Sequence, residues 1–331
     1  MKKILVIGAT GQIGSELTPE LRARYGSENV VAGGHRTKPA GELREAGPYI
    51  ALDVREINAI AAAVTTHRID TIFHLAAMLS AAAESRPQFA WELNMNGLRN
   101  VLEVARTEGC AVFFPSSIGA FGPSTPPDNT PQLTIQRPTT IYGITKTAGE
   151  LLCDYYHLRF GVDTRGLRFP GLISFRTPPG GGTTDYAVEM FYAALQGRTY
   201  ACPLKPGTFL DMMYMPDAVR AALELMEADP AKLEFRNAYN VTAMSFAPDE
   251  LATEIRKHLP DFAITYAINP VQQAIADGWP NRMDDSAASE QWGWQPRYEL
   301  PAMTADMLAQ LSKRLAGGSQ RHPDAGTQET N

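Results

Sequence analysis

A tyrosine and a lysine four residues apart carry the clearest chemistry in this chain, in the run Ile141-Tyr142-Gly143-Ile144-Thr145-Lys146. The residues that follow, 147–152, have helix-forming character, so Tyr142 and Lys146 are expected on one helical face. A free phenol ionises near roughly 10 and is a poor base at neutral pH. A fixed ammonium a few ångströms away favours the phenolate and brings proton abstraction within reach. Upstream, Ser117 follows the apolar run 111–115, where a hydroxyl at a strand's carboxyl end can hold a substrate oxygen while the tyrosine exchanges the proton. In isolation, Tyr142 and Lys146 could be a surface aromatic beside a solvated charge, and Ser117 a turn residue. The elements around them decide between these readings.

Those elements begin with Lys3-Ile4-Leu5-Val6-Ile7, a short β-branched run suited to a buried parallel strand. Gly8, Gly11 and Gly14 follow at once, before a helical stretch over 15–25. Between a strand and a helix, such glycines serve a tight turn, close approach to a pyrophosphate and close helix–strand packing. Further strands are expected over 29–32, 49–54, 70–77 and 111–115, and a long helix over 88–108. The pattern reads as an α/β fold, a Rossmann-type doubly wound parallel sheet with a smaller C-terminal α/β substrate lobe. The expected division is a dinucleotide-binding unit over 1–170 and a mainly substrate-binding lobe over 171–316, with the chain returning to the first unit. Helices over 186–195, 217–227 and 302–315 and a strand over 237–241 belong to that second half, with Ser245 expected to cap a helix carrying Pro248 in its first turn. A polar tail, 317–331, follows.

Several residues at the carboxyl ends of these strands are candidates for ligand contact. A free ribose 2′-hydroxyl usually meets an acid about 20 residues beyond the glycines. Here the chain reads Gly33-Gly34-His35-Arg36-Thr37-Lys38. The missing acid weakens the case for NAD, and Arg36 could meet a 2′-phosphate or, with Lys38, be a solvated loop charge. Asp53 could bond the adenine amino group or cap the next helix. His74-Leu75-Ala76-Ala77 ends the fourth strand in small residues over which a cofactor can lie, and Ser80 follows as substrate contact or loop hydroxyl. Asn94 or Asn96, inside a helix, could hold backbone or water near the site. The proline-rich loop 123–138 is expected to border it.

Bulk composition narrows the field. The formal net charge of −6 over 331 residues argues against nucleic acid or an anionic membrane surface as the main partner. Cys110, Cys153 and Cys202 form neither a disulfide framework nor a Cys-x-x-Cys site, which fits a reducing cytoplasm. The six histidines lack metal-ligand spacing, so no metal is expected. Gly8 ends the first apolar run too early for a signal peptide, and the run over 71–83 is too short to span a bilayer.

Together these residues resemble the extended short-chain dehydrogenase/reductase family, typified by UDP-galactose 4-epimerase, from Lys3 to about Trp294. The resemblance includes the glycine motif, Asp53, the His-Leu-Ala-Ala strand end, the Asn94 region, Ser117, Tyr142, Lys146, Arg168-Phe169-Pro170 and the late Trp292-Gly293-Trp294-Gln295-Pro296. Within that family, Pro178 to Ala187, Gly207 to Asp217, and Trp279-Pro280 through Asp284-Asp285-Ser286 are similar to the short-chain type of L-threonine 3-dehydrogenase. Gly34 departs from that type, which usually carries an acid there.

The resemblance implies catalysis by Ser117, Tyr142 and Lys146 with NAD as the cofactor, NADP being possible because the acid at the end of the second strand is missing. It implies cofactor contacts from Gly8, Thr10, Gly11, Gln12, Ile13 and Gly14 in the turn, and from Arg36, Asp53 and Val54 toward the adenine. Leu75, Ala76, Ala77, Asn94, Tyr142, Lys146, Phe169 and Pro170 would complete the cofactor site. Ser80, Ser117, Tyr142, Gly182, Thr183, Thr184, Asp185 and Trp279 would meet L-threonine. The loop over 178–186 would offer amides and hydroxyls to a carboxylate, with Asp185 for an ammonium or as a helix cap. Relatives that bind sugar nucleotides usually place an arginine where this chain has Leu210, and an apolar residue cannot offset a diphosphate. The rival expectations are a sugar-nucleotide epimerase or dehydratase and a non-catalytic dinucleotide sensor, the latter disfavoured by an intact Ser-Tyr-Lys set. A homodimer or a monomer both remain open, since the expected contact helices mix apolar positions with Arg99, Glu103, Asp154 and Arg159.

Overall fold

Ile4–Ile7 form the central strand β1, and their alternation feeds two cores. Leu5 and Ile7 face one layer of helices, Ile4 and Val6 the other. All four are essentially inaccessible, as a parallel strand covered on both faces requires. The computed structural model describes residues 1–37, 39 and 41–318; Lys38 and the polar tail beyond 318 lie outside the described residues.

From β1 the chain runs through α1 (Gly14–Tyr25), β2 (Val30–Gly34), α2 (Glu42–Glu45), β3 (Tyr49–Ala51), α3 (Ile57–His67), β4 (Thr71–His74), α4 (Ser80–Ser85) and α5 (Pro87–Trp91). Next come α6 (Gly97–Glu108), β5 (Ala111–Ser117), α7 (Ile141–Phe160), β6 (Thr164–Phe169), β7 (Gly171–Ile173) and α8 (Tyr186–Leu195). The remainder is β8 (Tyr200–Cys202), β9 (Leu210–Tyr214), α9 (Met215–Glu227), β10 (Asn237–Asn240), β11 (Met244–Phe246), α10 (Pro248–Arg256), β12 (Ile264–Tyr266), α11 (Pro270–Ala276), α12 (Ser286–Trp292) and α13 (Leu300–Gly318).

The large sheet has seven parallel strands in the order β10-β6-β5-β4-β1-β2-β3. The chain winds outward through β2 and β3, then returns to β4 on the other side of β1. Crossovers leave β1 and β4 in opposite directions, so a crevice opens at their carboxyl ends, where ligands of such sheets bind. The smaller lobe holds a three-stranded sheet, β11-β9-β7, and a two-stranded one, β12-β8. Its own core gathers Tyr186, Phe191, Tyr214 and Phe246.

Four expectations change. The strand near 237–241 belongs to the large sheet, pairing with β6. Ser245 lies in β11 and donates to the Asn281 carbonyl at 2.7 Å, while α10 starts after Ala247. The helix over 88–108 is interrupted at Glu92–Asn96 by a wider π turn, which rotates Asn94 inward. The last helix extends to Gly318, into what reads as the polar tail. Along α7, Leu151, Tyr155 and Leu158 are exposed, so a second copy seated there would bury apolar surface. No described helix is long and apolar enough to cross a membrane.

Candidate active site

β1 delivers the chain directly into the glycine turn. Gly8 has φ +89°, and a Cβ there would lie 2.8 Å from Ala76 N; one on Gly14 would lie 2.3 Å from the Gly8 carbonyl oxygen. The turn therefore sits flush against the end of β4, and the amino end of α1 points into the crevice, the geometry that suits a pyrophosphate. Gly14 itself serves this packing and lines neither cleft.

On one side of the turn lies an open cleft of ≈ 840 Å³. Gly8, Thr10 and Gly11 form its floor, Leu75, Ala76 and Ala77 one wall, and Arg36, Asp53 and Val54 the far end. Asp53 caps the turn that follows it, accepting from Arg55 N at 3.0 Å, and also pairs with the Arg55 guanidinium at 2.6 Å. That contact with Arg55 holds the carboxyl down at about 2. Asp53 therefore lines the cleft but does not cap the following helix, which begins at Ile57 after Glu56 without a side-chain cap. Asn100 was not legible as part of this region: from α6 it donates to the carbonyls of Val54 and Arg55 at 3.2 and 2.9 Å, fixing the wall.

On the other side of the turn is a second cleft, open to solvent, of ≈ 760 Å³. It brings together Ser117, Tyr142 and Lys146 with Gln12 and Ile13 of the turn and Phe169 and Pro170 after β6. Ser80, Gly182, Thr183, Thr184, Asp185 and Trp279 enclose the same space from the smaller lobe and the start of α4. Thr183 Oγ1 is buried without a hydrogen-bond partner.

Local sequence sets the three central side chains. Thr140 caps α7, accepting from Gly143 N at 3.1 Å, so Tyr142 stands in the first turn and Lys146 one turn later. Ser117 ends β5, and its Oγ accepts from Gly119 N at 3.1 Å. Lys146 Nζ donates to the Pro115 carbonyl at 2.6 Å and lies 5.4 Å from the centre of the Tyr142 ring. Burial pushes the Tyr142 hydroxyl above its ordinary value, offset in part by its hydrogen bond with Ser117. Burial likewise draws Lys146 down to about 8, opposed by the charge of Glu150. The expected drop of the tyrosine toward neutrality is not what this environment gives: burial raises the hydroxyl by more than Ser117 lowers it.

Asn94 lines neither cleft. Its Oδ1 accepts from Met78 N at 2.8 Å and its Nδ2 donates to Thr145 Oγ1 at 3.1 Å, so it clamps the loop after β4 to α7. Asp185 does not cap α8 through its side chain. It turns back to accept from Gly181 N and Gly182 N at 2.7 and 2.8 Å, occupying two amides expected to face a carboxylate. Leu210 is fully buried in the smaller lobe's core, away from the cleft.

The loop over 123–138 supports the site from behind instead of bordering it. Arg168 of β6 and Glu150 of α7 form a buried ion pair at 2.9 Å. Gln136 adds a donor to Glu150 at 2.9 Å, and the Gln132 carbonyl accepts from Arg168 at 2.9 Å. Ser116, beside Ser117, donates to Glu150. This network ties β5, β6, the loop and α7 together; Glu150 falls four residues after Lys146, a spacing that could have flagged it as sharing that helical face.

A crevice between β1 and β4 with a glycine turn, beside a Ser-Tyr-Lys set whose Tyr142 and Lys146 are buried, defines a dinucleotide-binding α/β protein of one kind. The chain belongs to the NAD dependent epimerase/dehydratase family, whose model matches residues 4–242. It is 53% identical to an uncharacterized epimerase/dehydratase of Staphylococcus saprophyticus, across 93% of this chain and 96% of the relative. Among solved structures, it is similar to the L-threonine dehydrogenase of Clostridium difficile, with 55% identity, a TM-score of 0.93, and coverage of 95% of this chain and 98% of that one. It is also similar to the GalE-like L-threonine dehydrogenase of Cupriavidus necator in its holo form, with 52% identity, a TM-score of 0.90, and coverage of 93% and 99%.

Proposed function

We propose that the protein is an L-threonine 3-dehydrogenase that oxidises the C3 hydroxyl of L-threonine to the ketone of 2-amino-3-oxobutyrate, using NAD. The observation that carries this reading is the charge lining the catalytic cleft. Among its lining residues only Lys146 and Asp185 are ionic. Lys146 serves Tyr142 and no arginine lines the cleft, so a second diphosphate has no cation to meet there, while Asp185 suits an ammonium and the amides of Gly181 and Gly182 a carboxylate. The similarity to the two L-threonine dehydrogenases supports the same substrate.

The residues present fit a nicotinamide dinucleotide. The turn at Gly8 and Gly11 would hold the pyrophosphate, Asp53 and Val54 the adenine end, and Phe169 and Pro170 the nicotinamide end. When bound, the nicotinamide ring supplies the acceptor for the hydride that leaves C3. Tyr142 takes the C3 hydroxyl proton as its phenolate, and Ser117 holds the same oxygen as it becomes a carbonyl. Lys146 contributes positive charge beneath the phenolate. Asp185 would meet the substrate ammonium, releasing the Gly181 and Gly182 amides toward the carboxylate, while Thr183 Oγ1 offers a hydroxyl.

L-Threonine carrying deuterium at C3 tests the reaction itself. Transfer of that deuterium to the reduced dinucleotide is the expected result. A reduced dinucleotide without the label would refute oxidation at C3. The family and the staphylococcal relative are described as epimerase/dehydratase, and for the rival reading as a sugar-nucleotide enzyme tight UDP-sugar binding is the deciding observation.

A further inference from the structure

We propose that the adenosine end of the cleft is built to take a 2′-phosphate, so that the chain binds NADP(H) as well as NAD(H). This rests on the dinucleotide reading of the cleft and is independent of the substrate. The first observation concerns the end of β2. An acid there would bond the ribose 2′-hydroxyl and repel a 2′-phosphate. This chain has Gly34, and a Cβ at that position would lie 2.5 Å from the Tyr49 hydroxyl oxygen and 3.2 Å from Thr10 Cγ2. Tyr49 thus occupies the space an acidic side chain would need. Burial holds that phenol above its ordinary value, so it stays uncharged and able to donate to an anion.

The second observation is a surplus of positive charge at the same end. Arg36, Arg55 and Arg86 converge on the Phe89 ring, with guanidinium carbons 5.9, 5.5 and 4.6 Å from its centre. Phe89, Arg36, Arg55, His35 and Thr37 all line the cleft. Its one lining carboxylate, Asp53, is bound by Arg55, which also reaches Glu92 at 3.4 Å. Among the described residues no carboxylate pairs with Arg36 or Arg86. Three guanidinium groups gathered on one ring repel one another, and the phenyl face offsets only part of that repulsion. A phosphate beside Arg36 would relieve it and gain charge-assisted hydrogen bonds.

Fluorescence titrations with NADH and NADPH measure this without turnover. NADPH is expected to bind within about tenfold of NADH, and Arg36→Ala to weaken NADPH at least about fivefold more than NADH, the scale of one charge-assisted contact. Adenosine 2′,5′-bisphosphate should displace NADPH better than 5′-AMP, since neither fragment reaches the nicotinamide end. Added salt should weaken NADPH more steeply than NADH. NADPH binding about a hundredfold weaker than NADH, or equal loss of both on Arg36→Ala, would overturn the proposal. Failure of both dinucleotides to bind would overturn the cleft assignment, and the proposal with it.

Discussion

Lys146 reaches Tyr142 through the face of its ring: Nζ lies 5.4 Å from the ring centre while its hydrogen bond goes to Pro115. The lysine therefore acts on the tyrosine through its field, and only while charged. Both groups are buried, which draws Lys146 down to about 8 and pushes Tyr142 up. The two proton equilibria oppose each other in the alkaline range, and this shapes the pH dependence of the reaction.

Threonine oxidation should accelerate as pH rises from 7 toward the alkaline range. The sign follows from Tyr142: a base held above its ordinary value is in its active, deprotonated form only at higher pH. A pH profile of kcat/KM checks it. A rate that falls steadily from pH 7 upward would mean that another group takes the proton.

Tyr142→Phe removes the proton acceptor and almost no contact area. Turnover should fall about 10²- to 10⁴-fold, the usual contribution of general-base catalysis. NADH affinity, read by fluorescence, should stay close to wild type. Lys146→Met should instead reduce both turnover and dinucleotide affinity. Unchanged turnover in Tyr142→Phe would remove this residue from the mechanism.

Arg168→Met would leave Glu150 charged and unpaired in the interior, because both side chains of this pair are almost wholly buried. The expected cost is about 3–5 kcal/mol of folding stability. Arg168→Met with Glu150→Leu should lose markedly less than the sum of the two single variants. Chemical denaturation measures all three, and strict additivity would show that the pair is not coupled.

Asp211 is a second buried carboxyl, accepting from Thr242 Oγ1 at 2.6 Å and Met283 N at 2.7 Å. Burial raises it from 3.8 to about 8. A folded value above the unfolded one means that the folded state binds the proton more tightly. The stability this contributes is fully present below the unfolded value and is lost as pH rises through about 8. Thermal midpoints of the wild type should therefore drop more steeply between pH 6 and 9 than those of Asp211→Asn. Parallel curves would contradict the assignment.

What the sequence made legible was local. Gly8, Gly11 and Gly14 sit between a buried strand and a helix, and Tyr142 and Lys146 share a helical face, so spacing alone placed them. Long-range partners were another matter. Asn237–Asn240 pair with a strand some seventy residues earlier, and nothing in four residues says which sheet they join. Glu150, Arg168 and Asn100 show their roles only through contacts across the fold. Asp185 was ambiguous because a short carboxylate can cap a helix, hold loop amides or bind a ligand. The direction in which its surroundings shift Tyr142 was not legible because spacing reports a nearby lysine and is silent on burial.

Absorbance of reduced nicotinamide, followed with purified protein, L-threonine and either NAD or NADP, tests the central claim most directly. L-Allo-threonine and L-serine serve as controls for the stereochemistry and the methyl group at C3. The account predicts a steady rise with L-threonine and little with either control. Silence with both dinucleotides, from folded protein that binds NADH, would contradict L-threonine as substrate and leave only the dinucleotide site standing.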